Sequence, residues 1–132
     1  MYKRLVLGAA FFGIAVFAVN ALAITFYWYA SITHFDKLVH TLGGIFAAVA
    51  GSAFLYKHAQ TLRKRELVIT ALLFVFIVGL AWEYYEYILQ FYIKNIHLAD
   101  IPDSIGDLVA DMIGGILGIS FVILLQKRYN RE

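Results

Sequence analysis

Four long apolar segments constrain this chain more than any other feature, because each is long enough to cross a lipid bilayer as a helix. A spanning helix needs about 20 mostly apolar residues. Hydrophobic residues make up 62% of the chain and charged residues only 15%, which is far from the composition of soluble domains. The sequence therefore predicts an all-α integral membrane four-helix bundle in a single domain, residues 1–132. The expected spans are 5–29, 38–56, 67–92 and 105–125.

Positive charge is distributed unevenly between the two ends of these spans. Nine of the eleven Lys and Arg residues fall on one side of a four-span arrangement, and only Lys37 and Lys94 fall on the other. The positive-inside rule then predicts that the N and C termini are both cytoplasmic. The net charge of +2 gives no reason to expect a nucleic acid partner, so the expected partner is the lipid bilayer. The absence of cysteine excludes disulfides and thiolate metal sites.

Acidic side chains gather on the opposite side, which is predicted to be the outer one. At a rise of about 1.5 Å per residue, Glu83 lies about 24 Å from the cytoplasmic edge of a core about 30 Å thick. Spans two, three and four therefore all bring carboxylates to one level just beneath the outer surface. Spacings of three and four residues place the members of each group on one helix face. The carboxylates on this side are Asp36, Glu83, Glu86, Asp100, Asp103, Asp107 and Asp111.

Charged groups inside a membrane normally face the bundle interior and mark a functional site, because their exposure to lipid is costly. Their charge has two plausible neutralisers, a divalent cation and shared protons. Carboxylates with an imidazole suit Mg, Mn, Ca or Zn without distinguishing among these metals. Asp103 and Tyr87 are further pocket residues on this interpretation. The predicted metal ligands are Asp36, His40, Glu83, Glu86, Asp107 and Asp111.

Structural roles for the same residues remain open. Asp103 is well placed to cap the fourth span, and Asp107 lies in its first turn, where the helix dipole favours an acid. His40 also fits a packed core histidine. The series Gly43/Ala47/Gly51 and Ala110/Gly114/Gly118 predict that spans two and four approach closely in the bundle interior.

Three short motifs resemble those of the VanZ-like membrane proteins, and they are closest to the YjdF-type bacterial inner-membrane proteins. They are "DKLVH" at 36–40, "WEYYE" at 82–86 and "DSIGDLVADMIGG" at 103–115. The resemblance implies a location in a bacterial inner or cytoplasmic membrane. It adds Lys37 to the pocket and places Ser104 where that family usually has Arg. The family's polar positions fall on Asp36, Lys37, His40, Glu83, Glu86, Asp107, Asp111 and Gly114.

Several functions are consistent with this pattern, and the catalytic status of the chain is left open. The first is a membrane protein whose outer pocket binds a divalent cation and a lipid or cell-envelope headgroup. The alternatives are a metal-independent proton- or ion-coupled component and an assembly partner with a structural polar cluster. A metal-dependent lipid-phosphate enzyme is a lesser alternative, because the chain lacks the D-G-x-x-A-R element of CDP-alcohol phosphotransferases. The pattern does not indicate an oligomeric state.

Overall fold

The computed structural model describes residues 1–58, 63–92 and 101–131, and it contains no strand within those ranges. Four of its five helices are long and apolar enough to cross a membrane. Even a 24-residue helix is about 36 Å long, which exceeds a hydrocarbon core of roughly 30 Å. The predicted all-α membrane bundle is therefore confirmed. The helices are α1 Tyr2–Thr25, α2 Trp28–Ser31, α3 Phe35–His58, α4 Lys64–Tyr92 and α5 Ile101–Tyr129.

The first long helix ends four residues earlier than the sequence predicts. α1 stops at Thr25, and Tyr27 adopts a left-handed backbone with φ of 57° before the single turn of α2. The rings of Trp28 and Tyr29 pack edge-on against Phe35, with centroids 5.4 and 5.5 Å away. Hydropathy could not show this turn, because an average over a whole span reports its composition and not a change of backbone direction within it. The turn folds α2 over the beginning of α3.

Both chain termini lie at one end of the bundle, here called the termini end. Leu5 of α1 and Val122 of α5 are fully buried in one cluster with Val49 of α3. The guanidinium of Arg4 lies 5.4 Å from the centre of the Tyr129 ring. This arrangement agrees with an even number of spans, and the basic residues predict that the termini end faces the cytoplasm.

α3 and α5 form the closest helix pair of the bundle. A Cβ atom added at Gly44 would collide with the backbone carbonyl of Asp111, and one at Gly114 with the carbonyl of Thr41. Small residues permit such backbone contact between membrane helices. The predicted interior position of these two spans is therefore confirmed, although Gly44 and not Gly43 makes the contact. A Cβ atom at Gly43 would meet nothing within 4 Å.

Two further small residues of α3, Ala47 and Gly51, face α4. Ala47 packs in a buried cluster with Ala71 and Val75 of α4, and Gly51 lies against the ring of Phe74. α1 packs mainly on α3, while α4 packs on α5 and α3. α3 is therefore the central helix, and its first turns are surrounded by the other elements at the end opposite the termini. This opposite end is called the polar end below.

Candidate functional site

Polar side chains from three helices meet at the polar end of the bundle. α3 contributes Asp36, Lys37 and His40 in its first two turns, and α4 contributes a carboxylate from Glu83. The contact at Gly44 sets the register of α5, because the backbone carbonyl of Asp111 is what a Cβ atom there would meet. Asp107 and Asp111 of α5 therefore lie beside His40, which is one turn before Gly44 on α3. Within the described residues, the buried polar side chains here are His40, Glu83, Asp107 and Asp111.

His40 is at the centre of this group and faces carboxylates with both ring nitrogens. Its Nδ1 lies 3.3 Å from Oδ1 of Asp111 on α5. Its Nε2 lies 3.7 Å from Oδ1 of Asp107 and 3.9 Å from Oε1 of Glu83. The last two separations are too long for hydrogen bonds. They leave room for a small ion among Nε2 and the two carboxylates.

Lys37 neutralises a second set of carboxylates, closer to the polar end. Its Nζ donates hydrogen bonds to Asp36 at 3.0 Å, to Asp107 at 2.8 Å and to the side chain of Asp103. A Cβ atom at Gly106 would lie 3.1 Å from Cε of Lys37, so this glycine leaves room for the lysine stem across α5. The ammonium thus occupies the space among three acids that could otherwise hold a metal ion.

Glu83 is the acid with the least compensation. The residue is only 8% exposed, and neither of its carboxylate oxygens accepts a hydrogen bond from the part of the chain that the structure describes. The hydroxyl of Ser104 on α5 approaches this carboxylate without reaching hydrogen-bonding distance. Burying a carboxylate without a partner is costly, so a structure retains one only where something else compensates its charge.

A glycine of α4 makes room for the carboxylate of Asp111. A Cβ atom at Gly79 would lie only 2.6 Å from Oδ2 of Asp111, the oxygen that is turned away from the histidine. This oxygen is buried and accepts no hydrogen bond within the described ranges. The residues predicted from the sequence do not include Gly79, whose only signal is that of a lone glycine one turn before Glu83 among large apolar residues.

Glu86 points away from the buried cluster and into a groove between α1 and α4. Its Oε1 accepts a hydrogen bond of 2.9 Å from Nε1 of Trp82. The hydroxyl of Tyr29 donates a 2.7 Å hydrogen bond to Oδ1 of Asn20, a polar residue within the apolar part of α1. Burial, together with the nearby carboxylates of Glu86 and Asp36, raises the pKa of Tyr29. Tyr29, Asp36 and Glu86 line the same part of this groove.

The groove consists of two adjoining cavities of about 230 and about 690 Å³. Both cavities are lined by Val16 of α1, by Val39 and His40 of α3 and by Trp82 of α4. The inner cavity also reaches Asp111. We call these two cavities together the lateral groove, because its walls are the facing sides of α1 and α4 with α3 as its floor.

A comparison with protein families agrees with a membrane protein. The chain belongs to the DUF2238 family. This family is described as a predicted membrane protein, and its match covers residues 3–128. No curated protein and no solved structure matches the chain. Membership supports integral membrane localisation over nearly the whole length, and the chemistry has to be argued from the site itself.

The residues predicted for the pocket fall into three groups in this DUF2238 protein. The first group lies around the ring nitrogens of His40 and consists of Glu83, Asp107 and Asp111. The second group lies around the Lys37 ammonium and consists of Asp36, Asp103 and Asp107, so Asp107 belongs to both groups. Glu86 lies in the groove, Ser104 beside Glu83, and Tyr87 is exposed on the surface of α4. Lys94 and Asp100, which the sequence also places on the outer side, lie outside the described residues. Metal binding by the six predicted ligands stays a prediction.

Proposed function

We propose that this protein binds a divalent cation through His40, Glu83 and Asp107 beneath the predicted outer surface of a bacterial inner membrane. One ligand atom from each residue lies within 4.8 Å of the other two. A cation that holds ligands at about 2.0–2.6 Å keeps pairs of ligand atoms no more than about 4–5 Å apart. The arrangement therefore fits a cation with little movement of the side chains.

The observation that carries this proposal is the buried Glu83 carboxylate. It lies 3.9 Å from Nε2 of His40, and its oxygens accept no hydrogen bond among the described residues. A cation bound between the two groups would supply the missing compensation. Asp107 would serve both the cation and Lys37, since a carboxylate has about four lone-pair sites.

The position of Asp111 supports the same assignment. A metal-bound histidine usually donates its other ring N–H to a carboxylate, which fixes the tautomer and the ring orientation. Asp111 lies 3.3 Å from Nδ1 of His40, which leaves Nε2 for the cation. On this proposal Asp111 is a positioning residue, Asp36 is held by Lys37, and Glu86 is held by Trp82. The proposed ligand set is accordingly narrower than the six residues predicted from the sequence.

The VanZ-like resemblance fits this proposal but supplies no chemistry for it. We propose that the site then engages a lipid or envelope headgroup, because it opens into the lateral groove. The alternative is a metal-independent cluster that couples to protons or stabilises an assembly. One observation favours it, namely that the Lys37 ammonium already compensates Asp36 and Asp103.

Elemental analysis of the detergent-purified protein tests the proposal. Wild-type protein should retain near-stoichiometric metal after equilibration with Mg, Ca, Mn or Zn and removal of free ions. Glu83→Gln should lose it, while the matched variant Glu86→Gln, one turn away on the same helix, should keep it. Absence of metal from folded wild-type protein would contradict the proposal and favour the metal-independent alternative. Equal retention by both variants would contradict the assignment of Glu83.

A further inference from the structure

The lateral groove has the shape and polarity of a site for one amphiphilic molecule. Its larger cavity, at about 690 Å³, is within the range of roughly 300–1,000 Å³ that is common for small-molecule sites. Toward the middle of the bundle its walls are apolar, with Gly13, Val16 and Phe46 among them. Toward the polar end the walls carry Asp36 and Glu86. An occupant therefore needs an apolar chain with a polar group at one end.

The surroundings of the groove give access from the bilayer. α1 turns large apolar side chains outward, and Phe11, Ile14 and Phe17 are each at least two-thirds exposed. In a membrane these side chains would contact lipid. Because one wall of the groove is this peripheral helix, a lipid chain can reach the groove sideways from within the leaflet. The polar mouth would then lie near the level of the lipid headgroups.

The charge at the polar end of the groove, which we call the groove mouth, determines which lipid headgroups it can bind. No lysine or arginine is among the described residues that line either cavity, whereas Asp36 and Glu86 both line the larger one. The ammonium of Lys37 bonds Asp36 as well as Asp103 and Asp107 of α5, so one positive charge is shared among three carboxylates and Glu86 adds a fourth. The groove mouth is therefore anionic on balance and complements a cationic headgroup.

We propose that the lateral groove binds a membrane phospholipid with a primary-amine headgroup, whose ammonium is held by Asp36 and Glu86 and whose acyl chain lies against Val16 and Phe46. The inference deepens the proposed function and rests on it for the place of the headgroup, since His40 belongs to both the cation site and the groove wall.

A primary amine fits this mouth better than a quaternary one. An ammonium group has three N–H donors, and each can be accepted by a carboxylate. Oε1 of Glu86 accepts a hydrogen bond from Nε1 of Trp82, and this bond fixes the orientation of the carboxylate before a lipid binds. A trimethylated headgroup carries the same charge without a donor, so it would make no hydrogen bond to either carboxylate.

Native mass spectrometry of the full chain tests this inference directly. Protein in detergent is incubated with phosphatidylethanolamine, phosphatidylcholine or phosphatidylglycerol of identical acyl chains, and the retained lipid is counted. We expect wild-type protein to retain the ethanolamine lipid about tenfold more strongly than the other two, as losing one charge-assisted hydrogen bond implies. Asp36→Asn and Glu86→Gln should each remove most of this preference. Glu66→Gln, at an exposed acid of the termini end, should not change it.

A steric variant keeps the test independent of charge. Gly43 lines the inner cavity, and a Cβ atom there would meet nothing within 4 Å. Gly43→Leu should therefore fill the groove without disturbing the contact between α3 and α5, and it should reduce retention of every lipid. Retention equal to that of wild type would overturn the assignment of the groove. Equal retention of the ethanolamine and choline lipids by wild-type protein would overturn the amine selectivity.

Metal content measured on the same samples separates this inference from the proposed function. Bound metal without preference for the ethanolamine lipid would overturn the groove assignment and leave the cation site standing. Preference for that lipid without bound metal would support the amine-binding groove and contradict the cation site. Preferential retention that disappears in Glu86→Gln, with metal still bound, would support both.

Discussion

Removal of the Lys37 ammonium is the most direct test of how the polar end is neutralised. This single group bonds Asp36, Asp103 and Asp107, and Asp107 is only 2% exposed. The substitution Lys37→Met keeps an unbranched stem against Gly106 but removes the charge. It would leave three carboxylates together without the cation that joins them.

The expected cost follows from the exposure of the partners. Breaking a fully buried ion pair from one side costs about 3–5 kcal/mol, whereas an exposed pair contributes about 0.2–1 kcal/mol. The side chain of Lys37 is 25% exposed and that of Asp103 is 44% exposed, so water reaches part of the network. We therefore expect Lys37→Met to lower the free energy of unfolding by about 2–3 kcal/mol, most of it through Asp107.

The assay is reversible unfolding in mixed micelles of detergent and dodecyl sulfate, followed by circular dichroism, with a chelator present so that no bound cation replaces the ammonium. The double variant Lys37→Met/Asp107→Asn should recover at least about 1 kcal/mol, because it removes the unpaired buried charge. Lys64→Met, at an exposed lysine of the termini end, is the matched control. The reasoning is refuted if Lys37→Met costs no more than the control, or if the second substitution recovers nothing.

Two glycine substitutions test the packing that builds the site. Gly79→Ala should displace the carboxylate of Asp111, which lies 2.6 Å from the new Cβ atom, and weaken metal binding about 10- to 100-fold; a titration that shows unchanged affinity would contradict this role. Gly114→Ala should force α5 away from the carbonyl of Thr41 and lower the free energy of unfolding by about 1–3 kcal/mol, whereas Gly43→Ala should be nearly neutral in the same detergent unfolding assay.

The membrane spans and the depth of their acidic residues were predictable from the sequence, because both depend on local chemistry alone. Hydropathy over 20 residues reports whether a helix is stable in lipid, whatever its neighbours are. The spacing from Asp103 to Asp111 likewise places these acids on one face of any helix that contains them. The convergence of α3, α4 and α5 at one level followed from counting residues along the predicted spans, and the structure shows their side chains within a few ångströms of His40.

The roles of individual acids were not predictable in the same way. Glu83 and Glu86 are three residues apart, which places them about 60° apart around the helix. That rotation directs Glu83 to the buried cluster with His40, and it directs Glu86 to Trp82 and the lateral groove. The sequence pattern contains no information on how α4 is rotated against α3, so both appeared to be equivalent ligands.

The sequence by itself determined the class of this protein, the number of helices long and apolar enough to cross a membrane, and the end of the bundle at which its acids lie. Only the tertiary structure decided that Gly44, and not Gly43, contacts α5, and that Lys37 neutralises one set of acids while Glu83 stays buried beside His40. The physical reason is that insertion into lipid depends on the composition of each segment. Pairing of charges depends on distances of about 3 Å, which are set by the rotation and register of packed helices.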